Sequence, residues 1–221
     1  MILQIQSDYP QPRRIDQVVD VLRDDGVIAY PTDTVYGIGC SITSHDAIVR
    51  LRRLVSEIKG EPEHTPLSFI CESLSQVSDY AFVDDNAYRI LKRLLPGPYT
   101  IILESTKGVP SIMRKHRETV GIRIPEHPIP TALVERLGNP IATTSAMTDE
   151  GELIADPWTL DDLYEHIIDL IVDGDYVFPE PSTVIDLSGE VPVLVREGSG
   201  SIEGFEFLEV VDETDEEDAA L

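Results

Sequence analysis

A chain of 221 residues with 42% hydrophobic content carries enough apolar material for one substantial core, and its composition does not break before residue 205. No apolar run approaches the ~18 residues of a membrane span and no signal-peptide core opens the chain, so a cytoplasmic protein with no membrane partner is expected. The 41 acidic against 17 basic residues set a formal net charge of −24, a field that repels polyanions unless a local basic patch overrides it.

Ile15, Val18, Val19 and Leu22 recur at helical spacing and predict a helix over 15–22, stopped by Asp24, Asp25 and Gly26. Val27, Ile28, Ala29 and Tyr30 then read as a buried strand. Pro31 ends it, having no N–H for the ladder. Thr32, Asp33, Thr34, Gly37 and Gly39 follow, so hydroxyls and a carboxylate are joined to glycines that tolerate special backbone angles or approaches a Cβ would forbid. Polar groups at a strand end suit a ligand, although Pro, Thr, Asp and Gly are equally ordinary turn chemistry. A second helix is expected over 45–54 with Ser44 as its N-cap. A short strand over 67–70, a helix over 85–95 ended by Pro96 and Gly97, and a strand over 100–103 come next. A strand around Arg123, a helix over 129–137, a strand from Ile141, a helix over 160–167 and a strand over 170–172 continue the pattern. Strands near Thr183 and Val193 finish it. Such alternation argues an α/β sheet with helices packed on it.

Cys40 and Cys71 lie in apolar surroundings without metal-ligand spacing and read as free buried thiols. The five histidines are scattered, with no close pair to suggest a metal site. Residues 1–205 read as a single domain. Residues 206–221, with Asp212, Glu213, Asp215, Glu216, Glu217 and Asp218, read as a disordered, solvating acidic tail.

Apolar runs followed by small hydroxyl residues recur later in the chain. Ile141 and Ala142 lead into Thr143, Thr144 and Ser145, and Ser182 and Thr183 open Val184, Ile185 and Asp186. Arg123 interrupts an apolar strand and Arg196 closes another, and a guanidinium at strand period must reach one face of the sheet or be paired. Two such arginines suggest an anionic ligand. The competing reading of each Thr or Ser is a residue capping its own turn, and of each Arg a surface ion pair.

Taken in order, the segments 31–39, Lys59-Gly60-Glu61-Pro62, Pro96-Gly97-Pro98-Tyr99-Thr100, Gly121-Ile122-Arg123-Ile124-Pro125, Thr144-Ser145-Ala146, Ser182-Thr183-Val184-Ile185-Asp186 and Arg196-Glu197-Gly198 resemble the YrdC/YciO family of L-threonylcarbamoyladenylate synthases and their relatives. The resemblance runs over residues 15–200. It implies a twisted, mixed open sheet with a concave ligand-binding face. It also implies an activity that takes L-threonine, bicarbonate and ATP to threonylcarbamoyl-AMP and pyrophosphate, for the threonylcarbamoyladenosine modification of tRNA. Positioning and charge neutralisation, with Mg²⁺ expected beside ATP, would then carry the chemistry, and no catalytic nucleophile is assigned. Carried over by position, Thr34, Arg123, Thr143 and Ser182 fall on the L-threonine side, and Lys59, Thr119, Ser145 and Arg196 on the nucleotide side.

Several positions depart from the synthase pattern. Glu61 stands where an arginine is usual, Met147 where an asparagine is usual, Thr65 for Asn and Ile70 for His, which places the chain with the YciO-like branch. Two alternatives follow. One is a double-stranded RNA or tRNA-binding protein that uses arginines such as Arg50, Arg52, Arg53, Arg114 and Arg117 on phosphates. The other is an adenylating site with a different acceptor, its pocket made more apolar by Met147 and Ile70.

Overall fold

The computed structural model describes residues 1–59, 67–114, 118–164, 166–205 and 209–210, the side chains of 58, 59, 209 and 210 excepted. The chain opens with β1 (Ile2–Gln4), α1 (Pro12–Arg23), β2 (Val27–Tyr30), β3 (Gly37–Ser41) and α2 (His45–Lys59). It continues through β4 (Ser68–Ile70), α3 (Leu74–Tyr80), α4 (Asp85–Leu94), β5 (Tyr99–Glu104), α5 (Ser111–Arg114) and β6 (Thr119–Arg123). The last part holds α6 (Pro128–Leu137), β7 (Ile141–Ser145), α7 (Pro157–Tyr164), β8 (Leu170–Asp173), β9 (Thr183–Asp186), β10 (Val193–Arg196) and β11 (Glu209–Val210).

The strands form one mixed open sheet in the order β1-β8-β2-β3-β7-β4-β6-β5-β9-β10-β11. The pairs β2/β3, β3/β7, β4/β7, β5/β6 and β9/β10 are antiparallel, while β1/β8, β2/β8, β4/β6, β5/β9 and β10/β11 are parallel. Helices cover the two faces unequally. The larger core packs Leu51 and Leu54 of α2, Val77 of α3, Ile90 and Leu91 of α4 and Leu160 of α7 against Phe69, Ile101, Ile122 and Ile185. On the other face, Ile15, Val18 and Leu22 of α1 and Leu133 and Val134 of α6 cover Ile28, Tyr30, Ile70, Ile141 and Leu170. Beyond that cover the described residues leave a cleft on this face.

The local signals account for most element ends. Helix α1 starts at Pro12, which fits the first turn because its missing N–H would have no partner there. Ser44 caps α2 through its Oγ, which accepts from Ala47 N at 3.1 Å. Helix α7 covers Pro157–Tyr164, displaced from the expected 160–167, because Asp156 accepts from the backbone N–H groups of Trp158 and Thr159 and starts it earlier. Strand β3 is new to the sequence reading, and its glycines serve close approach. A Cβ on Gly39 would come within 2.7 Å of the Ala142 carbonyl oxygen, and one on Gly37 within 3.1 Å of Thr143 Oγ1.

Cys40 and Cys71 are both buried with free thiols, and burial pushes each up to about 12. Of the segment read as an acidic tail, Glu209–Val210 pairs in parallel with Val193 and Leu194. The rest of 206–221 lies outside the described residues. Among the described residues no helix is long and apolar enough to cross a membrane.

Candidate functional site

Period-two alternation sorts the central strands into a core side and an open side. Phe69, Ile101, Val120, Ile122 and Ala142 enter the larger core. Their neighbours Ser68, Thr100, Thr119, Gly121, Arg123, Thr143 and Ser145 face the opposite way and line a cleft of about 310 Å³. Cross-strand register sets the floor in a row, since Ser68 pairs with Thr143 on one side and with Gly121 on the other. Ser182 precedes β9, Val184 lies within it and Arg196 ends β10, and these three close the far wall.

Arg123 is the buried cation of this cleft, 6% exposed. Its Nη2 donates to Asp33 Oδ1 at 3.0 Å and to Thr34 Oγ1 at 2.8 Å. The other Asp33 oxygen accepts from Glu126 N at 2.9 Å, tying the segment after β2 to the segment after β6. Burial pushes the Arg123 guanidinium below its ordinary value and Asp33 pushes it back up, so the side chain stays a cation. Its Nε is buried without a hydrogen-bond partner among the described residues. A buried donor left unmet costs free energy that an anionic ligand would recover.

Arg196 is more exposed and is held at the rim by the Ser182 carbonyl, which accepts from its Nη2 at 2.9 Å. Burial, and then the Arg123 cation, hold its guanidinium below the ordinary arginine value. The Arg123 charge is therefore felt at Arg196 within one cleft, an arrangement that favours an anion there. Ser182 Oγ lies 2.9 Å from Thr100 Oγ1. Thr32 Oγ1 donates to the Val35 carbonyl and accepts from the N–H groups of Thr34 and Val35, so this hydroxyl closes its own turn.

Of the eight positions assigned from sequence, Arg123, Thr143, Ser182, Thr119, Ser145 and Arg196 come together as cleft lining. Thr34 is buried beside the cleft lining and accepts a hydrogen bond from Arg123. Lys59 ends α2 with its side chain outside the described residues, and Glu61, Thr65 and Arg117 also fall outside them. Ile70 lines the cleft, whereas Met147 borders a small neighbouring hollow with Leu54, Val55 and Tyr164. Tyr30, Ser68 and Thr100 were given no site role from sequence, and Asp33 only a general one as the carboxylate of the polar segment after β2. For Ser68 and Thr100 the signal was there, since each sits two residues from an apolar residue on the same face of a short strand. Of the arginines considered for RNA, Arg50 pairs with Asp169 at 2.9 Å and Arg53 with Glu57 at 2.7 Å.

The family model for Sua5, YciO and YrdC proteins, described as telomere recombination, matches residues 20–198. The chain belongs to this family. The Escherichia coli protein named YciO is 42% identical over 203 residues, spanning 91% of this chain and 97% of that protein. Its crystal structure superposes with a TM-score of 0.85 at 41% identity, covering 92% of this chain and 98% of that one. Threonylcarbamoyl-AMP synthase of Pyrococcus abyssi is 33% identical over 187 residues, covering 84% of this chain and 54% of the synthase. The crystal structure of Pyrococcus abyssi Sua5 with L-threonine matches with a TM-score of 0.85 at 28% identity, over 96% of this chain and 62% of that one.

Within the family the YciO relatives thus align over nearly their whole length, while the chain spans about half of the Pyrococcus abyssi synthase. Among the described residues no three His, Cys, Asp or Glu side chains converge on a point, so these residues do not fit a protein-built metal centre. A Mg²⁺ accompanying ATP would have the phosphate oxygens as its principal ligands.

Proposed function

We propose that the cleft joins L-threonine, bicarbonate and ATP into threonylcarbamoyl-AMP, releasing pyrophosphate, for the threonylcarbamoyladenosine modification of tRNA. The observation that carries the proposal is Arg123, buried in the cleft with an unmet Nε among the described residues and with Arg196 lining the same cleft. Its support comes from the shared fold with a Sua5 protein solved with L-threonine.

In this reading Arg123 takes the threonine carboxylate, with Thr34 and Asp33 holding the guanidinium and Thr143 and Ser182 beside the amino acid. The threonine nitrogen attacks the bicarbonate carbon, and water leaves to give a carbamate. A carbamate oxygen then attacks the α-phosphorus of ATP, and the bond to the bridging oxygen breaks to release pyrophosphate. Arg196, Thr119 and Ser145 are assigned to the nucleotide, where a guanidinium fork suits phosphate oxygens, and Lys59 is assigned to it from sequence alone. The chain's part is to hold three reactants in line and neutralise charge, which explains why no protein nucleophile is needed.

Calorimetric titration with ATP and Mg²⁺, with and without saturating L-threonine and bicarbonate, tests the reading. ATP binding that tightens with threonine, and pyrophosphate release lost in Arg123→Ala, is the expected result. No ATP binding under either condition would overturn it and turn attention to RNA.

A further inference from the structure

Thr143 is 6% exposed and lines the cleft, and its hydroxyl is constrained from behind. Its Oγ1 donates to the Ile38 carbonyl at 3.1 Å, with the Thr144 carbonyl a weaker acceptor at 3.5 Å. Carbonyl oxygens only accept, so the single hydroxyl proton of Thr143 is committed away from the ligand. The Tyr30 hydroxyl lies 2.8 Å from the same oxygen and therefore donates to it. Tyr30 is fully buried at the end of β2, packed beneath Gly37 and Gly39, which have no Cβ to displace it. Burial raises its phenol far above the ordinary tyrosine value, so it keeps its proton at any working pH. Of the two lone pairs on Thr143 Oγ1, Tyr30 uses one, and the second is the only hydrogen-bonding capacity the hydroxyl has left.

We propose that the Ile38 carbonyl, by taking the Thr143 proton, and Tyr30, a positioning residue that donates to the same oxygen and holds it in that orientation, together lock Thr143 as a hydrogen-bond acceptor, so that the cleft selects a carboxylate ligand carrying an N–H donor, an α-amino acid, over its deaminated analogue. A free threonine hydroxyl turns to suit either a donor or an acceptor and discriminates poorly. A locked one penalises any ligand that leaves its lone pair unmet. Arg123, on the same face of the sheet, supplies the partner for the carboxylate. The inference rests on the amino-acid reading of the cleft given above.

The test is calorimetric titration, in ATP and Mg²⁺, of L-threonine against (R)-3-hydroxybutanoate, which is threonine without its amino group. The wild-type protein should prefer L-threonine by about tenfold or more, the scale of one hydrogen bond to a charged group. Tyr30→Phe should weaken L-threonine about fivefold and leave the analogue unchanged, narrowing the ratio. Thr143→Val should abolish the preference and Thr143→Ser should keep it. Equal wild-type affinity for the two ligands, or a parallel loss of both in Tyr30→Phe, overturns the inference while leaving the amino-acid site standing. A wild-type protein that binds neither ligand overturns the amino-acid reading and the inference with it. Should Tyr30→Phe fail to fold, the Thr143 pair decides, since an equal preference in the Val and Ser variants overturns the acceptor role.

Discussion

Arg123 and Asp33 are almost completely withdrawn from water, at 8% and 10% side-chain exposure, so neither can lose its partner cheaply. Asp33→Asn removes the charge that balances the guanidinium and weakens the acceptor for Glu126 N. It should lower the unfolding free energy by about 3 kcal/mol, seen in urea as a lower midpoint at unchanged slope. Asp16→Asn breaks the exposed pair between Asp16 and Arg136, and by contrast should change stability by less than about 1 kcal/mol. At this scale the two cleft-lining arginines were legible in sequence, because a cation at strand period has few options. It did not reveal that Thr34 Oγ1 accepts from Arg123, since hydroxyls with different partners look alike in sequence. Nor could it pair Asp33 with Arg123, which are 90 positions apart.

At the level of elements, helices were legible wherever an apolar stripe met a cap. Ile15, Val18, Val19 and Leu22 are the buried residues of α1, and Ser44 caps α2 as its position suggested. Strand β3 was not legible, because Gly37-Ile38-Gly39-Cys40-Ser41 has low strand propensity and its glycines are explained only by neighbours from β2 and β7. Helix α6 carries an uncommon cap whose behaviour follows from its chemistry. His127 Nδ1 accepts from Ile129 N at 3.2 Å, which requires a neutral ring nitrogen. Burial lowers the His127 pKa, although Asp33 and Asp8 act to raise it. The folded state therefore resists a proton that the unfolded chain takes up below about pH 6.5, so stability falls as pH drops through that value. His127→Asn keeps a capping acceptor that does not titrate. The difference in Tm between pH 7.5 and pH 5.5 should therefore be smaller in the variant than in the wild type, and equal differences would assign the pH response to other groups.

For the molecule as a whole, the net charge is −24, and the acidic excess carried by residues 1–205 must repel itself in the folded domain. Raising ionic strength from about 0.01 M to about 0.15 M shortens the screening length from ~30 Å to ~8 Å. Thermal unfolding should then shift upward by about 3 °C, corresponding to about 1 kcal/mol for a domain of this size. An unchanged Tm would mean that the acidic groups are spaced too widely to oppose folding. The general α/β architecture was readable from alternation, but strand order was not. The sheet places β7 between β3 and β4, and β9 beside β5, through pairings that no local pattern encodes.

That strand order has a consequence for the newly made chain. Ser182 and Arg196, which complete the cleft wall, belong to segments that leave the ribosome late, and β5 gains β9 as its neighbour only then. Until that moment β5 is an uncovered edge, open to pairing with another chain. A small molecule that fits the cleft therefore protects finished copies by mass action, but it cannot rescue a chain that goes astray before β9 has been synthesised.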